Sequence, residues 1–544
     1  MSTLVEPQPS TRPPRQPRRP RPSGATIGIP LAYLAATVFA MWWIDVRPAA
    51  LLDGFADIAN LLQRMLPPAV DNPGTLVSLA LETLWIAIAG TGLATVASVL
   101  LAAAASRHYT GPRVIRWLAQ AIIMVTRAVP SLVFALIMVR IVGLGPLAGG
   151  LAIAFHSIGM IGKMITDVFE EQDRAPYEAI AAVGAGRAQN FVATTVSRAL
   201  PAMTSIVLYR LDINIRASAV LGLVGAGGIG LALQTAIGSL DYRRALGIIV
   251  VIILMLLVLE FASYWAQRGL AEHADERTAA QLYGRERRPG SLGWNRSRLL
   301  RVGSGLLALA LFVISLTQLF ADVPRLGRVW ENTLKVLGGF FPPTFTPEIA
   351  YGIFESVLMA VSATTFGVVF GLVIAVGSTR HLIRFEPLSL VLRGVMVLVR
   401  GVPDIIFALL FVAALGLGPF AGFLALAISC TALAAKFFTD ALMTVDPAPL
   451  RALEATGASR LQVFVSGVWP QFVPSFIGSS LFTSDLALRE SAVLGIVGAG
   501  GIGFLLQESV ATVHYDATAG ILISLVAVVV ALESVARWAR KKVI

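Results

Sequence analysis

Long apolar runs separated by short polar segments dominate this sequence. They fall near 26–45, 76–105, 114–142, 147–169, 194–237 and 244–267, and again near 300–320, 349–378, 388–415, 420–443, 467–510 and 517–538. Most runs reach the roughly 20 residues that a helix needs to cross a bilayer. Lipid cannot satisfy unpaired backbone groups, so helices are the expected spanning elements. The alternating pattern of a membrane barrel is absent. The pattern predicts an all-α polytopic membrane protein with about twelve transmembrane helices.

The two sets of runs are copies of one unit. Ser218–Gly230 reads SAVLGLVGAGGIG and Ser491–Gly503 reads SAVLGIVGAGGIG, an offset of 491 − 218 = 273 residues. The same offset relates Arg127 to Arg400 and the GLGP segments at 143–146 and 416–419. Since six spans is an even number, both copies have the same orientation and can be related by a pseudo-two-fold axis along the membrane normal. The sequence therefore predicts two parallel six-helix repeats.

Composition agrees with a membrane protein and divides the chain further. Hydrophobic residues make up 56% and charged residues 14% of the chain, well below the roughly one-quarter charged residues of soluble domains. The expected organisation is a disordered basic tail (1–25), a first transmembrane domain (26–268), a linker (269–299) and a second transmembrane domain (300–544). The sole cysteine, Cys430, lies in a predicted span and excludes a disulfide framework.

The net charge of +11 is explained by membrane topology rather than by nucleic-acid binding. Arginines concentrate before the first span, in the linker and at the C-terminus, whereas the loop after the first span mixes both signs. The positive-inside rule then places both termini and the linker in the cytoplasm. We expect a multi-pass membrane protein that contacts the lipid bilayer and no nucleic acid.

A short Ala-rich segment follows the fourth span of each copy. It reads APYEAIAAVGAGR from Ala175 to Arg187 and APLRALEATGASR from Ala448 to Arg460. Each predicts a short cytoplasmic helix that ends at a glycine, Gly184 or Gly457, and is followed by another helix. Ordinary C-capping by glycine accounts for such a segment without any functional role.

These segments resemble the coupling loops of bacterial ABC-importer permeases, in which a short helix docks in a cleft of an ATPase subunit. The resemblance implies a type I ABC importer permease fold, a place in the bacterial inner membrane, and docking through one set of residues in each copy. The second copy has Arg451 where the first copy has Glu178, and this difference predicts docking contacts of unequal strength. The implied coupling residues are Glu178, Ala179, Gly184, Ala452, Glu454 and Gly457.

The stretch from Tyr209 to Gly230 resembles the phosphonate and phosphate-ester branch of these permeases, and both copies are covered. The second copy keeps only Asp485 and Arg489 of the charged set. The resemblance implies import of phosphonate or a related oxyanion such as phosphate, phosphite or a phosphate ester. It also implies two copies of an ABC ATPase subunit, which bind ATP and Mg²⁺, and an extracytoplasmic substrate-binding protein. One fused chain would serve each transporter, with no cofactor of its own.

Glycines of the repeated stretch permit close helix approach or unwound backbone. We expect a gate that lines a hydrated cavity, although simple close packing of small residues is compatible with the same pattern. A phosphate-cradling loop is excluded because the chain has no G-x-x-x-x-G-K-[S/T] motif. The predicted gate residues are Gly225, Gly227, Gly228, Gly498, Gly500 and Gly501.

Charged residues inside apolar spans are costly and mark pathways or ion pairs. Arg127 and Arg400 lie about 13 residues into their spans, near mid-membrane at about 1.5 Å rise per residue. Each precedes a proline by three residues, and arginine can bind two oxygens of an oxyanion. Arg216 and Arg489 are further candidates, with pairing to Asp212 and Asp485 as the alternative. Lys163 with Asp167, and Lys436 with Asp440, predict intrahelical ion pairs.

Two other functions stay open from the residues alone. Six-plus-six parallel repeats also describe ion-gradient-driven secondary transporters of the major-facilitator type, although the G-x-x-x-D-R-x-G-R-R motif is missing after the second span. A membrane enzyme acting on lipid phosphates is disfavoured because histidines and carboxylates do not cluster. Neither H-E-x-x-H nor a Ser/His/Asp arrangement occurs, so we predict no catalysis and no metal site in this chain.

Overall fold

The computed structural model describes residues 24–46, 48–107, 112–259, 261, 296–321, 327–379 and 385–543, and all long elements among them are helices. The first half contains α1 (Gly24–Trp43), α2 (Pro48–Met65), α3 (Pro73–Ala105), α4 (Arg113–Ala128), α5 (Ser131–Val142), α6 (Pro146–Glu170), α7 (Ala175–Ala182), α8 (Arg187–Phe191), α9 (Ser197–Leu221), α10 (Ile229–Gly238) and α11 (Tyr242–Leu259). The second half contains α12 (Arg296–Leu319), α13 (Val329–Gly339), α14 (Pro347–Ser378), α15 (Glu386–Gly401), α16 (Asp404–Leu415), α17 (Pro419–Met443), α18 (Pro447–Ala455), α19 (Arg460–Val463), α20 (Trp469–Leu494), α21 (Gly501–Ala511) and α22 (Tyr515–Val543). The predicted tail and linker lie almost wholly outside the described residues.

Short π-helical turns join some of these helices. They occupy Val192–Val196 and Phe464–Val468, immediately before α9 and α20. The two turns lie at matching places in both halves to within one residue, since 464 − 192 is 272 and the repeat offset is 273. A π turn inserts an extra residue into a helix and is frequent at functional sites. Each half thus enters its glycine-containing helix through the same irregular turn, which the hydrophobic pattern did not predict.

The spans agree with a multi-pass membrane protein. Among the described residues, 8 helices are long and apolar enough to cross a membrane, and 11 if each bent pair counts as one span. Helix α1, which has 20 residues, occupies the place of the predicted first span. Many large apolar side chains face outward, including Leu100 and Val373. So extensive an exposed apolar surface fits contact with lipid.

The predicted spans 114–142 and 388–415 are each broken into two helices. The chain bends by 98° between α4 and α5 and by 84° between α15 and α16. Pro130 and Pro403 stand at the bends, and the preceding residues, Val129 and Val402, have extended backbone. Proline disfavours helical backbone in the residue before it, so the helix ends there although the apolar pattern continues.

The first helix of each half packs on the other half. The hydroxyls of Thr37 in α1 and Thr365 in α14 are 2.8 Å apart, and the rings of Trp43 and Phe354 meet edge to face with centroids 5.4 Å apart. In the reciprocal contact, the ring of Phe312 in α12 fills the space beside Gly92 of α3. The main buried cluster contains residues of both halves. The duplicated units therefore form one bundle.

Two helices outside the predicted spans also cross between halves. Helix α2 packs on α16, where Gly54 leaves room for Leu415. Helix α13 packs on α5, and Asn332 Nδ2 donates to the carbonyl of Ile141 at 3.1 Å. Both helices join the halves at the end of the bundle where α5 and α16 terminate.

Candidate translocation gate and coupling helices

The repeated glycine stretch interrupts a long helix in each half. After α9 the chain makes a 3-10 turn (Gly222–Val224) and restarts as α10; after α20 it makes an irregular turn (Gly495–Ala499) and restarts as α21, with a 60° bend. All predicted gate glycines have positive φ, between +71° and +93°, which other residues rarely adopt. The predicted break is present, and its role as a gate stays a prediction. These glycines are Gly225, Gly227, Gly228, Gly498, Gly500 and Gly501.

A neighbouring helix caps each restarted helix. In the first half the backbone N–H of Gly228 donates to Glu82 Oε1 at 2.9 Å and that of Ile229 to Thr83 Oγ1 at 2.9 Å. Helix N-termini carry unpaired N–H groups and partial positive charge, so a carboxylate there is favourable. The capping side chains come from the middle of α3 rather than from the residue that precedes the helix.

The second half repeats this arrangement at the same offset. The backbone N–H of Gly501 donates to Glu355 Oε2 at 2.6 Å, and that of Ile502 donates to Ser356 Oγ at 2.9 Å. Glu355 and Ser356 lie in α14, 273 residues after their counterparts in α3. The cap is therefore a property of the duplicated unit and not of one half.

The loop before the fourth span holds the other side of each break. The N–H of Gly145 donates to the carbonyl of Gly225 at 3.0 Å, and the N–H of Gly418 donates to the carbonyl of Gly498 at 3.0 Å. Leu144 and Leu417 fill the space where a Cβ on Gly225 or Gly498 would lie. Each break is thus fixed between a carboxylate-bearing helix and a tight loop.

Glu82 and Glu355 were missed by the sequence analysis. The signal was available: each is a charged residue inside a long apolar run, and the two are related by the repeat offset. Intramembrane carboxylates are expensive and usually functional. The backbone partners that compensate them lie 146 residues away in the chain, and a sequence pattern does not reveal such pairing.

The predicted arginines Arg216 and Arg489 form the ion pairs that were the alternative to substrate contact. Arg216 Nη2 lies 3.0 Å from Asp212 Oδ2, and Arg489 Nη2 lies 2.8 Å from Asp485 Oδ2. All four side chains are largely buried, about two to three turns before the glycine breaks. Pairing does not exclude a ligand, because each guanidinium has five N–H donors.

Arg127 and Arg400 lie at the proline bends. They occupy the last turns of α4 and α15 and are half-buried. Helix α6 packs tightly beside Arg127, since a Cβ on Gly159 would come within 2.8 Å of its Cα. His156 Nδ1 bonds to the carbonyl of Val129 at 2.9 Å, which satisfies a carbonyl at the bend.

A buried polar chain is present only in the first half and was also missed. Arg210 Nε donates to Ser157 Oγ at 3.2 Å, Ser157 donates to Asn214 Oδ1 at 3.1 Å, and Asn214 Nδ2 donates to Thr91 Oγ1 at 2.8 Å. Arg210 is 5% exposed. The matched residues of the second half are Thr483, Cys430, Ala487 and Thr364. The halves therefore share the glycine breaks but differ in the polar groups beside them.

The predicted coupling segments form exposed helices. Helices α7 and α18 have no buried residue, and Gly184 and Gly457 end them with φ of +85° and +80°. Buried Asn190 donates to the carbonyl of Tyr177 at 2.8 Å and fixes α7, whereas Ser459 and Gln462 form a capping box at α19. The other predicted coupling residues, Glu178, Ala179, Ala452 and Glu454, are exposed. Both helices lie on the surface, next to residues that fix their ends.

The remaining polar predictions concern ion pairs and metal sites. Lys163 Nζ is paired with Asp167 Oδ1 four residues later, as predicted. In the part of the chain that the structure describes, no three His, Cys, Asp or Glu residues are arranged to hold a metal ion.

The molecule has two matched halves. Each half has a glycine break in a membrane helix, fixed by its neighbours, and an exposed pair of short helices. These features define an integral membrane transport permease. The family model for the binding-protein-dependent transport system inner membrane component matches twice, at residues 94–274 and 367–544. The chain belongs to this family and carries two of its units. This membership supports the ABC-permease prediction and not the ion-gradient alternative.

Curated relatives are similar over different lengths. The phosphate-import permease of Mycolicibacterium smegmatis is 38% identical over 513 residues, 94% of this chain and 93% of the relative. A phosphite transport system permease of Stutzerimonas stutzeri is 34% identical over 41% of this chain and 82% of its own length. A putative cryptic phosphonate transport system permease of Escherichia coli K12 is 33% identical over 22% of this chain and 97% of its own length.

Proposed function

We propose that this chain is the permease subunit of an ATP-driven importer for phosphorus oxyanions, and that it supplies both transmembrane halves. The observation that carries the proposal is the matched pair of glycine breaks, each capped by Glu82 or Glu355 at the same repeat offset. Similarity to a phosphate-import permease over 94% of the chain supports the substrate class. Phosphonate, phosphite and phosphate esters share the tetrahedral oxyanion chemistry of phosphate.

ATP hydrolysis takes place in a separate subunit that binds ATP and Mg²⁺. Two copies dock on the chain, one at α7 and one at α18, because these helices have no buried residue and are open to a partner. Glu178 on α7 and Arg451 on α18 give the two docking sites opposite charge at matched positions. The two contacts therefore differ in strength, although one kind of subunit occupies both.

The coupling helices face the cytoplasm, and both termini lie on the same side. The basic segments before the first span, between the halves and at the C-terminus support this orientation. The opposite end, where α2 and α13 cross between the halves, faces a substrate-binding protein outside the inner membrane. One fused chain replaces the two permease subunits of a dimeric importer.

The path for the oxyanion runs between the two halves. Arg216 and Arg489 lie beside the glycine breaks, and Arg127 and Arg400 lie at the proline bends, so cationic side chains occur at more than one level. Several weak contacts permit passage better than one strong site. Closure of the ATPase subunits moves α7 and α18, and the breaks beside Gly228 and Gly501 change the access of the path from one side to the other.

Uptake of radiolabelled phosphate and phosphite tests the proposal. The chain is expressed with its ATPase and binding protein in bacteria that lack their own phosphate and phosphite importers, and uptake is compared before and after collapse of the proton gradient. Uptake should stop on ATP depletion and persist without the gradient. Uptake that follows the gradient and ignores ATP contradicts the proposal and restores the secondary-transporter alternative.

A further inference from the structure

One ion pair in the second half leaves a donor and an acceptor buried and unused. Arg489 Nη2 bonds to Asp485 Oδ2 at 2.8 Å, and the side chains are 12% and 22% exposed. Arg489 Nε and Asp485 Oδ1 have no hydrogen-bond partner and are almost inaccessible. Unmade hydrogen bonds of buried charged groups are costly. A ligand that offers both an acceptor and a donor would satisfy the two atoms together.

The pair lies within electrostatic reach of the other half of the molecule. Its helix, α20, packs on α14 and α17 of the second half. The charge of Arg489 also acts on His156 of α6, which lies near Arg210 of α9, and α6 and α9 belong to the first half. In the proposed function, the path runs between the two halves and passes near this pair.

The matched pair in the first half differs. Asp212 and Arg216 have the same spacing and lie 3.0 Å apart. Neither is among the described residues with partnerless buried atoms, and Arg216 has a further interaction. The unused donor and acceptor thus belong to the second half alone, although the sequence motif is duplicated.

We propose that the Asp485–Arg489 pair selects singly protonated phosphorus oxyanions. Arg489 Nε–H donates to an unprotonated oxygen of the anion, and Asp485 Oδ1 accepts from the P–OH group. Phosphate monoesters lose their second proton near pH 6, so a P–OH group is present around neutral pH. Sulfate and sulfonates have no such proton there, and a bare oxygen would face the carboxylate. This selection rests on the proposed function and adds to it the rejection of sulfur oxyanions.

Other charged groups surround the pair and are part of its electrostatics. Glu490 follows Arg489 on α20 and interacts with it and with Asp404 of α16. Cys430 of α17 lies near both carboxyl groups, and Tyr33 of α1 contacts Ser484, the neighbour of Asp485. Helix α17 also carries Lys436 and Asp440. Substrate protonation rather than any one of these groups supplies the donor in the proposed contact.

The test uses the purified full-length chain, so that a binding protein does not influence selectivity. The probes are methylphosphonate and methanesulfonate, which have similar shape but differ in the ability to hold a proton. Their dissociation constants are obtained from ligand-induced thermal stabilisation at about pH 6 and at about pH 8, on either side of the second proton loss of a phosphorus oxyanion. The ionic strength is the same in all samples.

The wild-type chain should bind methylphosphonate about tenfold more tightly than methanesulfonate near pH 6, as one charged hydrogen bond implies, and this preference should shrink near pH 8. Asp485→Asn should reduce the preference to about twofold or less, since an amide can donate to either anion. Asp212→Asn is the matched control and should keep the preference. Asp485→Glu should retain it in part.

Equal stabilisation by both probes, or a preference that Asp485→Asn leaves intact, overturns the inference. The melting temperature without ligand shows whether Asp485→Asn is folded. If it is not, Arg489→Lys serves instead: it keeps the charge but lacks the planar guanidinium that donates from Nη2 to Asp485 and from Nε to the anion, and it should weaken methylphosphonate binding about tenfold. Failure of this test leaves the importer proposal standing, because that proposal depends on ATP-driven uptake and not on the sulfonate comparison.

Discussion

Removal of the carboxylate caps should loosen the restarted helices α10 and α21. In Glu82→Ala the N–H of Gly228 loses an acceptor at 2.9 Å, and in Glu355→Ala the N–H of Gly501 loses one at 2.6 Å. A hydrogen bond to a charged group contributes about 1.5 to 3 kcal/mol. The two caps share no partner, so their losses should add to about 3 to 6 kcal/mol in the double variant. Gln at either position keeps an oxygen acceptor without the charge and should cost about 1 kcal/mol.

Hydrogen exchange of the purified chain measures this loosening directly. The amides of 225–238 should exchange faster in Glu82→Ala and those of 498–511 in Glu355→Ala, with each effect confined to its own half. A loss of about 1.5 to 3 kcal/mol corresponds to roughly 10- to 100-fold faster exchange. Glu331→Gln is the control, because Glu331 forms only an exposed pair with Lys335, and such pairs contribute little. Unchanged exchange in both alanine variants would refute the capping argument.

Three further predictions concern coupling and the path. Gly184→Val with Gly457→Val should abolish uptake while ATPase activity persists, because left-handed backbone costs other residues about 1 to 2 kcal/mol. The control is Gly186→Ala, at a φ of −61° with open space around it, which should transport normally. Normal uptake by the double valine variant would contradict the coupling role. Glu178→Arg and Arg451→Glu should change the affinity of the ATPase for the chain in opposite directions, as measured by titration of the purified subunits. A change of the same sign in both variants would show that the opposite charges do not make the two docking sites differ. Arg127→Ala with Arg400→Ala should lower the initial uptake rate about tenfold. Lysine at both positions should lower the rate less, since lysine keeps the charge but not the planar donor fork. Equal rates for the wild-type chain and both double variants, at equal membrane levels, would remove these arginines from the path.

Periodicity and duplication predicted most of the architecture. The 273-residue offset located the two halves, and the glycines with positive φ at the breaks are those that the repeated stretch indicated. Gly184 and Gly457 likewise end short helices, as their sequence context suggested. These features are local: backbone conformation at glycine and the end of a helix depend on a few neighbouring residues.

Features that depend on distant partners were missed. Glu82 and Glu355 are capping residues only because α3 and α14 lie beside the breaks, and the sequence alone does not give that packing. The size of the bends at Pro130 and Pro403, 98° and 84°, could not be predicted because hydrophobicity is continuous through them. The crossing of α1 and α12 to the opposite halves was also hidden, since an apolar helix does not indicate which neighbour it packs against.

The central claim is that one fused chain, with ATPase subunits on α7 and α18, forms a single ATP-driven path for phosphorus oxyanions. The most direct measurement is accumulation of radiolabelled phosphate in proteoliposomes that contain only this chain, its ATPase subunit and the loaded binding protein. The account predicts accumulation against a concentration gradient that requires ATP, with two ATPase subunits for each chain by native mass spectrometry. Accumulation without ATP, or none under any energisation from a complex that hydrolyses ATP, would contradict it.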